Sequence, residues 1–180
     1  VGLIILLPFF LLVALLIKLS CPGPVFFKQL RTGRDGIIFS IYKFRTMRSS
    51  PHSADVIPAQ KNDRRCTMLG RFLRRSSIDE LPQLINVLRG EMSLVGPRPH
   101  AVEHDNYYGS LIDGYTLRFG AVPGITGLAQ SLGHRGSIHN VKEMADRVAL
   151  DLQYVSDWSL ALDVKILVRT ALVVLFQRTA

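Results

Sequence analysis

Asp79 and Glu80 stand side by side in RSSIDELPQL, with Arg74 and Arg75 just upstream and Gly96-Pro97-Arg98-Pro99 downstream. Two carboxylates among arginines can hold a divalent cation and a diphosphate together. Hard oxygen ligands suit Mg2+, which takes one or two carboxylates and fills its shell with water and substrate phosphates. Guanidinium forks match phosphate oxygens. A simpler reading is also complete. Ser77-Ile78-Asp79-Glu80 fits the S-x-x-E capping box, in which Ser77 caps a helix, Glu80 bonds back and Asp79 enjoys the helix dipole. Such a helix would bury Leu81, Leu84, Ile85 and Leu88 on one stripe and end at Gly90. A helix N-terminus also favours phosphate, so the residues alone leave both readings open.

The elements around this pair are set by pattern. VFFKQLR and IIFSIYKFRTM flank Gly33-Arg34-Asp35-Gly36, which predicts a β-hairpin. Lys43 and Arg45 are two apart and share a strand face, either a solvated edge or a phosphate-contacting one that Arg48 extends. Residues 49–62 carry Pro51, Pro58 and few large apolar side chains and read as a mobile loop, with His52 a surface residue. Met68, Phe72 and Leu73 have helical spacing, with Arg71, Arg74 and Arg75 on other faces. Further on, AVPGITGLAQ demands tight turns near the core. His134-Arg135 between glycines is a second anion-contacting loop or a plain turn. VKEMADRVALDLQYV is amphipathic. The closing SDWSLALDVKILVRTALVVLF is apolar on most faces, with Lys165 and Arg169 one turn apart and Trp158 at its entrance. It is either a helix at a membrane surface or a core helix.

Val1 to Ile17 contains no charged residue. As a helix it would cover about 25 Å, short of the roughly 30 Å hydrocarbon core. Pro8 in its middle removes a helix hydrogen bond and should kink it. A kinked helix that enters one leaflet and returns is favoured over a spanning one, a cleaved signal peptide or a buried soluble helix. Cys21-Pro22-Gly23-Pro24 ends the segment. The flank of Lys18, Lys28, Arg31 and Arg34 places the downstream domain on the cytoplasmic side by the positive-inside tendency. Residues 1–20 are thus expected to be a membrane-inserted element and 21–180 a catalytic domain on the cytoplasmic face, in an α+β, mostly helical fold. The start at Val1 suggests a fragment of a longer parent. The formal charge of +8 and the pI of about 9.9 suit anionic lipid, phosphorylated substrates or nucleic acid. Only the KFR stretch hints at nucleic acid, and the apolar ends argue against it. Cys21 and Cys66 form no C-x-x-C and no zinc spacing.

Taken in order, GPVFFKQLRTG, IYKFRTM, RSSIDELPQLINVLRGEMSLVGPRP, PGITG and DWSLALDVKIL resemble the bacterial sugar transferase family, the monotopic phosphoglycosyl transferases, over essentially the whole chain. The resemblance implies transfer of a phosphosugar from a nucleoside diphosphate sugar, UDP-glucose or UDP-galactose, to undecaprenyl phosphate with release of UMP. That is the first membrane step of exopolysaccharide, capsule or O-antigen synthesis, at the bacterial inner membrane. It implies Asp79 as the nucleophile, Glu80 with Asp79 as the Mg2+ site, and Arg74 and Arg98 near the phosphates. Arg75, Lys43, Arg45 and Arg135 are the further candidates for phosphate or nucleotide. Pro8 matches the proline that breaks a re-entrant helix, and the larger relatives suggest a homodimer. Val122 stands where the family usually has a basic residue, Leu128 where it usually has an aromatic one, and Leu7 where a serine often precedes the proline. The rival from a different class is a membrane-anchored module that binds a nucleotide sugar or anionic lipid without catalysis.

Overall fold

The computed structural model describes residues 2–48, 63–134, 136, 138 and 140–176. The loop expected over 49–62, with His52, lies outside the described residues, as does Arg135. Helix α1 (Gly2–Ser20) contains Pro8, with helix on both sides of it. Phe10, Val13 and Ile17 recur at helical spacing and are buried against Phe44 and Leu73. The Phe10 and Phe44 rings meet edge to face at 5.4 Å. Leu7, Leu11, Leu12, Leu15 and Leu19 are exposed. Thus α1 docks one stripe on the rest of the protein and turns the others outward. Among the described residues, no helix is long and apolar enough to cross a membrane.

Strands β1 (Phe26–Thr32) and β2 (Ile38–Phe44) form the expected antiparallel hairpin, in register from Phe26↔Phe44 to Thr32↔Ile38. Asp35 and Gly36 both adopt positive φ in its turn, which matches the right-handed twist of the strands. Helix α2 (Met68–Arg75) starts at Thr67, whose side chain accepts from the Gly70 amide at 2.9 Å. A Cβ on Gly70 would lie 1.9 Å from the Thr46 carbonyl oxygen, so only glycine lets α2 lie against the end of the hairpin. Leu73 is buried, but Met68 is 82% exposed and Phe72 60%. The expected apolar spacing therefore belongs partly to an outward face.

The capping box does not form. Ser77 is left-handed (φ 56°, ψ 15°) and its side chain caps nothing. A 3-10 segment, Ile78–Gln83, comes next, and then the short helix α3 (Leu84–Leu88). Pro82 has no N–H to donate and disfavours α geometry at Leu81. The expected leucine stripe is also corrected. Pro82, Gln83 and Asn86 are buried, whereas Leu84 and Ile85 are half-buried and Leu88 is exposed. Gly90, at φ 75°, closes α3 as expected.

The glycine-rich GITG is more than a turn. β3 (Ser93–Val95) pairs in parallel with β4 (Gly124–Thr126). Between them lie α4 (Val102–Gly109) and a 3-10 segment, Tyr115–Gly120. After β4 come α5 (Leu128–Ser131), α6 (Val141–Asp157) and α7 (Leu160–Phe176). Ile166 of α7 is buried with Val95, Leu128 and Tyr154. Tyr115, Met144 and Val148 form a second core behind α6. The protein is α+β and mostly helical, and its small sheets hold the segments that carry the charged residues.

Candidate active site

The site is assembled where β2, the 3-10 segment and the residues after β3 converge. Asn86 of α3, fully buried, fastens the helix that follows the 3-10 segment to β2. Its Nδ2 donates to the Ser40 carbonyl at 2.8 Å and to Glu91 at 2.7 Å, while its Oδ1 accepts from the Tyr42 amide at 3.1 Å. Lys43, on the same strand, then donates from Nζ to Glu80 Oε1 at 2.7 Å. From the other side Arg98 forks onto Glu80, Nη2 to Oε1 at 2.5 Å and Nη1 to Oε2 at 3.2 Å. The carboxylate that the capping box would have turned back to its own helix is drawn to two cations instead. A charge-assisted bidentate pair outweighs one bond to a backbone amide.

Asp79 is different. It is 8% exposed and takes no side-chain hydrogen bond or ion pair among the described residues. Burial, then the neighbouring Glu80 charge, push its carboxyl up to about 6, against the pull of Lys43, Arg74 and Arg98. Burial also opposes ionisation of Glu80, but Arg98 and Lys43 prevail and hold it well below the usual carboxylate range. The left-handed Ser77 stands just before this pair. A non-glycine residue there is sparsely populated backbone, held by its surroundings.

Arg98 is itself braced. Pro97 O accepts from the Gly124 amide at 2.9 Å, and Gly96 N donates to Thr126 O at 2.9 Å. Arg118 Nη2 donates to the Arg98 carbonyl at 2.5 Å. Arg118 is buried in turn against Asp151 at 2.7 Å, with Asp105 at 3.6 Å and His100 Nδ1 at 3.1 Å. Tyr115 donates to Asp105 at 2.6 Å. Sequence reasoning missed Asn86, Arg118, Asp105 and Asp151. Polar residues scattered over separate elements give no periodic signal. A usable hint was an arginine and an asparagine inside otherwise apolar runs.

Of the expected site residues, the structure brings Lys43, Asp79, Glu80 and Arg98 together. Arg74 acts on Asp79 through its charge, and its Nη1 reaches Cys66 Sγ at 3.5 Å. Arg75 is exposed on α2. Arg45 goes elsewhere: it is buried and donates to the Cys21 and Pro22 carbonyls, each at 2.7 Å. The strand ends at Phe44, so Lys43 and Arg45 do not continue one face, and Arg45 fastens the end of α1. Leu128 is buried in the core with Val95 and Ile166, which gives that position a packing role.

Among the described residues no cluster of three or more His, Cys, Asp or Glu could hold a metal by itself. The donor set of Asp79 and Glu80 nevertheless fits Mg2+, which needs few protein ligands when substrate phosphates supply the rest.

The family model for bacterial sugar transferase matches residues 1–177. The chain is 54% identical over 163 residues to a UDP-glucose:undecaprenyl-phosphate glucose-1-phosphate transferase of Caulobacter vibrioides, covering 91% of this chain and 61% of that protein. It is 49% identical over 168 residues to the Escherichia coli protein of the same name, covering 93% and 36%. It is 46% identical over 173 residues to the exopolysaccharide production protein PSS of Rhizobium leguminosarum, covering 94% and 86%. The chain thus spans less than two thirds of the first two relatives' length. With the match running over nearly every residue, this chain belongs to the bacterial sugar transferase family.

Proposed function

We propose that this chain transfers a phosphosugar from a UDP-sugar, UDP-glucose or UDP-galactose, to undecaprenyl phosphate, releasing UMP, through a covalent intermediate on Asp79. The carrying observation is the contrast within the pair. Glu80 is ionised and anchored by Lys43 and Arg98, while Asp79 has no partner to shield its oxygens among the described residues. A nucleophile must be ionised yet free, and Asp79 meets both conditions above about pH 6.

In the first step an Asp79 oxygen attacks the phosphorus that carries the sugar. The bond from that phosphorus to the UMP oxygen breaks, and UMP leaves with the electron pair. In the second step a phosphate oxygen of undecaprenyl phosphate attacks the same phosphorus. The aspartyl–phosphorus bond breaks, and the Asp79 carboxylate is restored. Arg98 and Lys43 hold Glu80 in place and put positive charge beside the phosphates, where a loose phosphoryl transition state spreads negative charge. Mg2+, held by Glu80 with Asp79 adjacent, would neutralise the diphosphate and stabilise the leaving phosphate. The acceptor is a lipid, so the apolar stripes of α1 and the outer face of α7 suit placement at the inner membrane, with α1 entering one leaflet.

The test is UMP release by the purified chain with Mg2+ and undecaprenyl phosphate, across a panel of UDP-sugars. One sugar should support turnover with ping-pong kinetics, and Asp79→Asn should abolish it while the variant still folds. Full activity in that variant would sink the nucleophile assignment. Ligand-induced stabilisation without any UMP release would favour the binding module instead.

A further inference from the structure

Two guanidiniums beside the Arg98 segment have no part in the proposed transfer steps. Arg147 of α6 is 6% exposed, yet no carboxylate among the described residues forms a salt bridge with it. Its Nη2 donates to the Gly136 carbonyl at 3.4 Å, and its Nε is buried without an acceptor. Arg31 of β1 donates to the Pro99 carbonyl at 3.3 Å and to Gln29 Oε1 at 2.6 Å, both neutral, and its Nε too is buried without an acceptor. Burial, then the Arg98 charge, lower both guanidiniums, Arg31 to about 10.

The buried acids nearby are engaged by other cations, and Glu103 and Glu143, which act on Arg31 and Arg147 through their charge, form no salt bridge with either among the described residues. Asp151 and Asp105 pair with Arg118, and Glu80 pairs with Lys43 and Arg98. His100 supplies no negative charge. Burial, then Arg118, Arg147, Arg31 and Arg98, hold its imidazole well below its usual range, so it is neutral. Its Nε2 is a further buried polar atom without a partner. Arg118 reaches His100 Nδ1 at 3.1 Å and the Arg98 carbonyl, and Arg31 reaches the Pro99 carbonyl between them at 3.3 Å. Arg147 lies one helical turn from the Asp151 that Arg118 holds, and the Nε of both Arg31 and Arg147 is left without an acceptor. A buried cation without a counter-charge is strongly unfavourable. It is well suited to a site that receives an anion, where planar donor forks match phosphate oxygens.

We propose that Arg31 and Arg147 complete, with Arg98, an anion site for the phosphoryl groups of a substrate. The choice of phosphate rests on the transfer reaction proposed above. Two sources share this chemistry: the diphosphate of the nucleotide sugar and the phosphate of the lipid acceptor.

Titration calorimetry on the full chain in detergent tests the site, with inorganic pyrophosphate and UDP in one arm and undecaprenyl phosphate in the other. The variants are Arg147→Met and Arg31→Met, with Arg147→Lys deciding by the same comparison if Arg147→Met does not fold. The wild type should bind in at least one arm, and each Met variant should weaken that binding by roughly tenfold or more, the loss of a charge-assisted bond. The arm that weakens names the source. Arg147→Met without ligand should melt no lower than wild type, because an unpaired buried charge is removed. Normal UMP release with unchanged affinities in both variants overturns this inference alone. Pyrophosphate binding by a wild type that never releases UMP, lost in the Met variants, would remove the transfer reaction and leave the anion site standing.

Discussion

At the scale of single residues, two chemically similar neighbours are placed under opposite pressures. Asp79 is buried without a cation of its own, and its carboxyl sits at about 6 against an ordinary 3.8, which corresponds to roughly 3 kcal/mol. A folded-state value above the unfolded one means that the charged form opposes folding. The penalty is complete above about pH 6 and fades as pH falls towards 4. Asp79→Asn should therefore raise the melting temperature at pH 8, and the gain should shrink as pH is lowered through 6. Glu80 has the reverse sign. Held well below its ordinary value by Arg98 and Lys43, it contributes stability that is present above about pH 4.5 and lost as pH falls through its folded value. Glu80→Gln should lower the melting temperature at neutral pH, since breaking a buried pair leaves Lys43 and Arg98 less compensated, at about 3 kcal/mol or more. Thermal melts of both variants from pH 5 to pH 8 check the pair, and shifts of the same sign would contradict opposite pressures on the two carboxyls. The same ionisation should set the acid limb of the reaction. kcat/KM should fall about tenfold per pH unit below about 6, read from initial rates of UMP release.

At the scale of elements, glycines fix how closely the backbones approach. A Cβ on Gly124 would lie 2.1 Å from the Gly96 amide nitrogen, and one on Gly96 would lie 2.3 Å from the Val122 carbonyl oxygen. Neither neighbour is a side chain that can rotate away. Gly124→Ala should push β3 from β4 and move Pro97 and Arg98 with them. Overpacking of this kind costs about 1–3 kcal/mol or more, and turnover should fall further than stability alone explains; melts and rates on one preparation separate the two. The hairpin was legible because two apolar runs around Gly-Arg-Asp-Gly admit few other folds. The Asp79–Glu80 pair was legible as a place but not as a geometry. Ser77-x-x-Glu80 satisfies the local rule for a cap, and only the tertiary approach of Lys43 and Arg98 overrides it. The parallel pairing of Ser93 with Gly124 was not legible, because short strands with glycine carry no alternation and their partners lie far apart in sequence. Arg45 misled for a related reason: strand alternation ends at Phe44, and alternation was what placed it beside Lys43.

At the scale of the whole molecule, apolar surface and positive charge would decide how the proposed site meets a lipid acceptor. Helix α1 buries Phe10, Val13 and Ile17 and leaves Leu11, Leu12, Leu15 and Leu19 exposed. Trp158, Leu160, Val164 and Val168 are exposed around α7, and Met68 and Phe72 on α2. The formal charge of +8 adds attraction to anionic lipid. Apolar insertion does not weaken as salt rises, whereas the electrostatic part is screened within about 10 Å at 0.1 M salt. If α1 is the main anchor, the two contributions separate cleanly. Binding to anionic vesicles should persist largely intact at 1 M salt. Leu11→Asp together with Leu15→Asp should reduce it by tenfold or more, since each carboxylate would have to enter the bilayer at roughly 2.5–3.5 kcal/mol. Both positions face away from Phe44 and Leu73, so the melting temperature in detergent should be nearly unchanged. Vesicle flotation at low and high salt reads the first effect, and scanning calorimetry the second. Full flotation of the double variant at low salt, lost at 1 M, would transfer the anchoring role from α1 to the basic surface. The lipid acceptor would then have to reach Asp79 across the headgroup layer rather than along the helix.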